Sequence, residues 1–235
     1  MHYKKILLKL SGEVLADQPQ SSISKAQLQH YTQEITKVKN TGINMAIVLG
    51  GGNIYRGART DEKVVARIPG DYMGMLATMI NSIALYDMLV QKNIPARLMT
   101  QIGMPNIYEP YSRSKALSYL KKGYVVIIGG GLGKPCFTTD SAASLCAIEL
   151  GVDVMLKGTN VDGIYTSDPK KDKGAKLYSA LTIDQALKEK LHVMDFTALT
   201  LCQESNMPII VYNSTKVDRL LGVLQNPKLG TLISP

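Results

Sequence analysis

Three residues have side chains suited to handling phosphate, and each stands near a glycine-rich turn: Lys9, Arg56 and Asp140. Lys9 interrupts the apolar run Ile6 to Leu10 and is followed by Ser11-Gly12. A lysine there is costly unless its ammonium snorkels outward or does chemical work. Arg56 lies four residues past Gly50-Gly51-Gly52, and Asp140 opens a helical pattern after Gly129-Gly130-Gly131-Leu132-Gly133. Phosphoryl transfer needs this kind of set, cations around the migrating group and little covalent chemistry. Asp140 has two readings. It is either a first-turn acid favoured by the helix dipole, or a carboxylate that holds Lys9 or a metal-bound water. The first reading also applies to Asp71, near another helix start.

Glycine lets a backbone approach a phosphate closely and aim its N–H groups at the oxygens. A following helix adds its positive end. The usual nucleotide signatures nevertheless fail. A P-loop needs Ser or Thr after its Gly-Lys, but Gly133-Lys134 is followed by Pro135. A dinucleotide fingerprint needs glycine where Lys134 stands, and the His-Arg-Asp and Asp-Phe-Gly landmarks of protein kinases are missing. A kinase built from this chain uses another scaffold.

The elements that must hold these residues alternate along the chain. Strands are expected at Tyr3 to Leu10, Asn44 to Leu49, Ala96 to Thr100, Tyr124 to Ile128, Asp153 to Lys157, Ile209 to Tyr212 and Thr231 to Ile233. Helices are expected at Lys25 to Lys39 with Ser24 as N-cap, Gly70 to Lys92, Ser112 to Lys122, and Thr139 to Leu150 capped by Thr138 or Thr139. Further helices fit Ile183 to Lys190, Thr197 to Glu204 and Val217 to Leu224. The turns at Asp162-Gly163 and Asp168-Pro169 mark a small hairpin. Apolar strands alternating with helices imply a mainly parallel sheet covered on both faces, with ligands at the carboxyl ends of the strands.

The 235 residues fit one large domain or two small ones. No apolar run approaches the roughly 20 residues of a membrane span, so none is expected. Cys136, Cys146 and Cys202 form no C-x-x-C pair and read as free buried thiols, and His2, His30 and His192 are scattered. Neither a disulfide framework nor a zinc site follows, and a reducing cytoplasm is the expected home. A formal charge of +8 points to anionic partners. The lysines are dispersed without interleaved aromatics, and small phosphorylated ligands explain the charge as well as nucleic acid does, so charge alone does not decide between them. The methionines Met73, Met75, Met79 and Met88 read as core or subunit interface.

At these residues the chain resembles the uridylate enzymes of the amino acid kinase family. The resemblance runs nearly end to end, through KILLKLSGE (5–13), GGGNIYRGA (50–58), GDYMGMLAT (70–78), FTTDSAA (137–143), LKGTNVDGIYTSDP (156–169) and VMD (193–195). It implies a three-layer α/β sandwich around a mainly parallel sheet of about eight strands. It also implies one domain over 1–235, with its N-terminal part mainly on the UMP side and its C-terminal part mainly on the ATP side. The implied reaction moves the γ-phosphoryl of ATP to UMP, giving UDP and ADP for pyrimidine nucleotide synthesis. Catalytic roles fall on Lys9, Arg56 and Asp140. ATP would meet Lys9, Leu10, Ser11, Gly12, Gly52, Arg56, Thr159, Asn160, Tyr165 and Asp168. UMP would meet Gly51, Asp71, Leu132, Gly133, Lys134, Pro135, Cys136, Phe137, Thr138 and Thr139. Mg²⁺ is implied on the ATP phosphates and water, with no protein residue assigned as its ligand. Lys157 and Asp195 match family positions without an assigned role.

The resemblance further implies a homohexamer and feedback inhibition by UTP. Many family members carry a glycine-rich, acidic segment after the first strand that is linked to activation by GTP. Here that segment reads ADQPQSSISKA (16–26), which puts GTP activation in doubt. Two other functions fit parts of the pattern. A sister enzyme forming an acyl phosphate would use the same glycine turns and Lys9, but the GDYMGMLAT block resembles the uridylate enzymes. A nucleotide sensor or nucleic-acid-binding regulator would explain the charge, but it would not need Lys9, Arg56 and Asp140 together.

Overall fold

The computed structural model describes residues 3–17, 23–55, 64–169, 171–191 and 193–235. The elements are β1 Lys5–Leu10, α1 Lys25–Lys39, β2 Asn44–Leu49, α2 Arg67–Gln91, β3 Ala96–Thr100, β4 Glu109–Pro110, α3 Arg113–Lys121 and β5 Val125–Gly129. They continue with α4 Thr139–Leu150, β6 Val154–Thr159, β7 Ala180–Thr182, α5 Ile183–Lys188, α6 Phe196–Glu204, β8 Ile209–Asn213, α7 Arg219–Gln225 and β9 Thr231–Ser234. The strands form one sheet in the order β4-β3-β5-β2-β1-β6-β8-β9-β7, in which only β8 and β9 pair antiparallel.

Alternation along each strand divides the core into two layers. Ile6, Leu8 and Leu10 of β1 pack with Leu28, Ile35 and Val38 of α1, Leu85 and Leu89 of α2, and Val223 of α7. Leu7 points the other way, toward Ala143, Cys146 and Ala147 of α4, Leu120 of α3 and Leu199 of α6. The two-residue period of a strand therefore places Lys9 with Leu7, on the α4 face. This is a three-layer α/β sandwich.

Among the described residues the sheet has nine strands, two more than the seven read along the chain and close to the eight or so that the resemblance implies. The additions, β4 and β7, hold two and three residues and lie at the two edges, too short to leave a period in the sequence. The hairpin after β6 reduces to one antiparallel bridge, Tyr165 to Leu177. Ser24 caps α1 by accepting from Gln27 N, and Thr138 caps α4 by accepting from Asp140 N and Ser141 N. Helix α2 begins at Arg67, three residues before the expected start, so Asp71 lies in its second turn and pairs with Arg67 one turn back. With 25 residues, α2 is long and apolar enough to cross a bilayer, but it packs Met79, Leu85 and Leu89 into the core. Cys146 and Cys202 are buried, whereas Cys136 is exposed, contrary to expectation, because it sits in the loop before α4 at φ +71°.

Candidate functional site

Lys9 and Lys157 are register partners on the parallel pair β1–β6. Two ammonium groups side by side repel, and Asp140, in the first turn of α4, answers both. Lys9 Nζ lies 2.8 Å from Asp140 Oδ1, and Lys157 Nζ donates to Oδ2 at 2.6 Å. Lys157 Nζ also donates to Val193 O at 2.6 Å. Lys9 thus meets Oδ1 and Lys157 meets Oδ2, one ammonium to each carboxylate oxygen. The lysine-interrupts-a-strand signal that marked Lys9 is present again in VMLKGT, and Lys157, which sequence reasoning left without a role, joins the same cluster.

Burial pushes the Asp140 carboxyl up, but the charges of Lys9 and Lys157 outweigh it and hold the group down to about 2. Burial lowers the Lys157 ammonium, Lys9 adds to that, and Asp140 opposes it. The carboxylate is thus ionised across the physiological range.

Asp195 ties this cluster to its surroundings. It caps α6 by accepting from Ala198 N at 3.0 Å. It also accepts from the Thr138 hydroxyl and, at 2.9 Å, from Ser141 Oγ. Thr138 in turn accepts the Asp140 N–H at 3.0 Å. The 193–195 segment therefore holds Lys157 from one side and the start of α4 from the other. Its sequence signals were an acid just before a helical run and its place in the VMD block.

Three cavities open at the carboxyl ends of the strands. The first, about 370 Å³, is walled by Gly12, Gly51, Gly52, Asp71, Lys134, Phe137, Thr138 and Thr139. The second, about 420 Å³, includes Gly158, Thr159, Asn160 and Lys157. Lys9, Ser11 and Asp140 line both. The third, about 480 Å³, shares Lys157, Thr159 and Asn160 with the second and adds Tyr165 and Asp168. Each lies within the roughly 300–1,000 Å³ of small-molecule pockets.

The remaining sequence candidates are placed as follows. Leu10 is fully buried in the core, so only its backbone is available at the site. Leu132, Gly133, Pro135 and Cys136 are not in the wall of the first cavity. Cys136 N–H instead donates to Asp71 Oδ2 at 2.7 Å, and Arg67 Nε approaches both Asp71 oxygens at 3.1 and 3.0 Å. Gly133 turns against Gln101 O, where a Cβ would stand 2.5 Å away at φ +67°. Arg56 lies outside the described residues. Among the described residues no three His, Cys, Asp or Glu side chains cluster as a metal cage.

The chain matches the profile of the amino acid kinase family over residues 4–213. It is 47% identical over 231 residues to a uridylate kinase of Bacteroides thetaiotaomicron, covering 98% of each chain. It is 45% identical over 231 residues to a uridylate kinase of Coxiella burnetii, covering 98% of this chain and 95% of that one. Its structure superposes on a crystal structure of UMP kinase from Bacillus anthracis with a TM-score of 0.95 at 40% identity, covering 99% of this chain and 96% of the other. Fold, site and relatives agree: the chain belongs to the amino acid kinase family.

Proposed function

We propose that this chain transfers the γ-phosphoryl group of ATP to UMP, yielding ADP and UDP. One observation carries the reading. Lys9 and Asp140 line both the first and second cavities, so a cation and its counter-ion stand where the phosphates of two nucleotides would meet. UMP occupies the first cavity in this reading, with its ribose hydroxyls on Asp71, which can only accept. ATP runs through the second and third, its phosphates toward Ser11 and Lys157 and its base side toward Thr159, Asn160, Tyr165 and Asp168.

The UMP phosphate is already a nucleophile, so the protein positions the two groups and stabilises charge. Lys9 meets negative charge on the migrating group, and Lys157 meets it on the ATP side. Asp140 keeps the two lysines together against their repulsion. Arg56 adds a second cation beside the glycine turn in this scheme. The donor set fits Mg²⁺ carried on ATP phosphates and water, since Mg²⁺ commonly uses few protein ligands. Asp140, which lines both the first and the second cavity, suits a water of such an ion. When bound, the metal would neutralise charge on the ATP phosphates.

We also read the chain as one domain, because the sheet takes strands from both ends of the chain. An exposed apolar stripe on α2 (Ile68, Tyr72, Leu76 and Ile80) supports self-association, and a homohexamer is proposed. Free thiols at all three cysteines suit a reducing cytoplasm. The test is an acceptor panel with Mg-ATP: UMP, CMP, AMP, acetylglutamate, aspartate and carbamate, with products followed by phosphorus NMR. UDP is the expected product, and an acyl phosphate would overturn the reading in favour of a sister enzyme.

A further inference from the structure

The glycine turns after β2 and after β5 lie far apart in sequence but rest on the same stretch of α2. Asn81 of α2 is fully buried. Its Nδ2 donates to Gly50 O and to Asn53 Oδ1, each at 2.7 Å, and its Oδ1 accepts from Asn53 Nδ2 at 3.1 Å. Three residues earlier, Thr78 is 4% exposed. Its hydroxyl donates to Met75 O at 2.7 Å and accepts the Gly130 N–H at 2.9 Å. A Cβ on Gly51 would stand 2.7 Å from Ala77 Cβ, so that turn lies flush on the helix.

Buried polar side chains cost stability unless hydrogen-bonded, and an apolar residue would fill either place more simply. What the polar atoms add is direction. A trans peptide sends its C=O and N–H to opposite sides. With Gly50 O drawn to Asn81, the Gly51 N–H points away from Asn81, and Gly51 lines the first cavity. The Gly129–Gly130 peptide is held at both ends, by Gln101 N donating to Gly129 O at 2.9 Å and by Thr78. Gly130 and Gly131 then turn at φ +87° and +59°, and Gly131 lines the same cavity.

We propose that Asn81 and Thr78 are positioning residues of the acceptor site, fixing the peptide planes of two glycine turns before the acceptor nucleotide binds. The inference rests on the acceptor reading of the first cavity. Backbone N–H groups set in advance bind an anion without the cost of ordering the loop on arrival. Thr78 reaches the wall of the first cavity and is absent from that of the second, so UMP and not ATP should sense the loss of its hydroxyl.

Thr78→Val removes the hydroxyl at constant shape, and Thr78→Ser restores it. Asn81→Leu removes the amide; should that variant fail to fold, the Thr78 pair alone decides. Thr78→Val is expected to raise KM for UMP about tenfold, the scale of one lost hydrogen bond, with KM for ATP within about twofold. Thr78→Ser should return to wild type. Unchanged KM for UMP in folded Thr78→Val, whatever its Tm, overturns the proposal. Hydrogen exchange without nucleotide gives a readout independent of activity. Peptides covering 125–133 should exchange faster in Thr78→Val and normally in Thr78→Ser. If the wild-type chain phosphorylates no UMP, the functional reading fails, and exchange still decides the positioning claim: unchanged exchange overturns it.

Discussion

Lys9 and Lys157 stand opposite each other in the β1–β6 register, and both ammonium groups close on the single carboxylate of Asp140. The sheet thus fixes two cations and one helix supplies the anion that makes their approach tolerable. Removing the anion strands two buried like charges. Asp140→Asn is expected to cost roughly 3–5 kcal/mol. For a chain of this length that lowers Tm by roughly 10 °C. Calorimetry with circular dichroism would check it, and a loss below about 1 kcal/mol would contradict the coupling.

Lys9 and Lys157 should separate kinetically. Charge develops on the migrating phosphoryl group, so Lys9→Ala should depress kcat by at least about 100-fold while KM for UMP changes only a few-fold. Lys157→Ala should act on the ATP side, raising KM for ATP along with its effect on kcat. Steady-state kinetics in both substrates tests this. Near-normal kcat in Lys9→Ala would reduce Lys9 to a packing residue.

Acid should reveal Asp140. Its carboxyl is held down to about 2 in the folded chain against an ordinary 3.8, so the unfolded chain takes up the proton first as pH falls. The resulting stabilisation, about 2 kcal/mol, is fully present above about pH 4 and is lost as pH falls toward 2. Urea midpoints of wild type and Asp140→Asn should therefore converge between about pH 5 and about pH 3. A gap that stays constant over that range would mean the carboxyl is not held down.

The parallel three-layer plan was legible because each buried strand left a continuous apolar run and each helix a period or a cap. The edge strands Glu109–Pro110 and Ala180–Thr182 were not, since two or three residues carry no period. Lys9 and Asp140 were legible one at a time from an interrupted strand and a helix start. Their pairing was one of two open readings, and Lys157 as third partner depends on register between distant strands. Asp195 acts through Thr138, and Asn81 looks in sequence like any polar residue in a helix. Such roles arise from tertiary contact, which spacing along the chain does not encode.

Effector control should follow the departure at 16–26, of which residues 18–22 lie outside the described structure. Ala16 to Ala26 has no glycine and one acid, Asp17. An effector acts only through different affinities for two states. GTP is therefore expected to activate weakly or not at all, while UTP inhibits by resembling UMP. A GTP titration at subsaturating ATP and UMP with excess Mg²⁺ checks this, and several-fold activation would place an effector site elsewhere on the chain.

A first cavity built for uridylate is tested most sharply by kcat/KM for UMP and for CMP under identical Mg-ATP. A site that hydrogen-bonds one base edge rejects a polar mismatch by about 10⁴-fold or more. A UMP preference of that order is expected, with UDP formed in step with ADP. Equal kcat/KM for the two acceptors would contradict it.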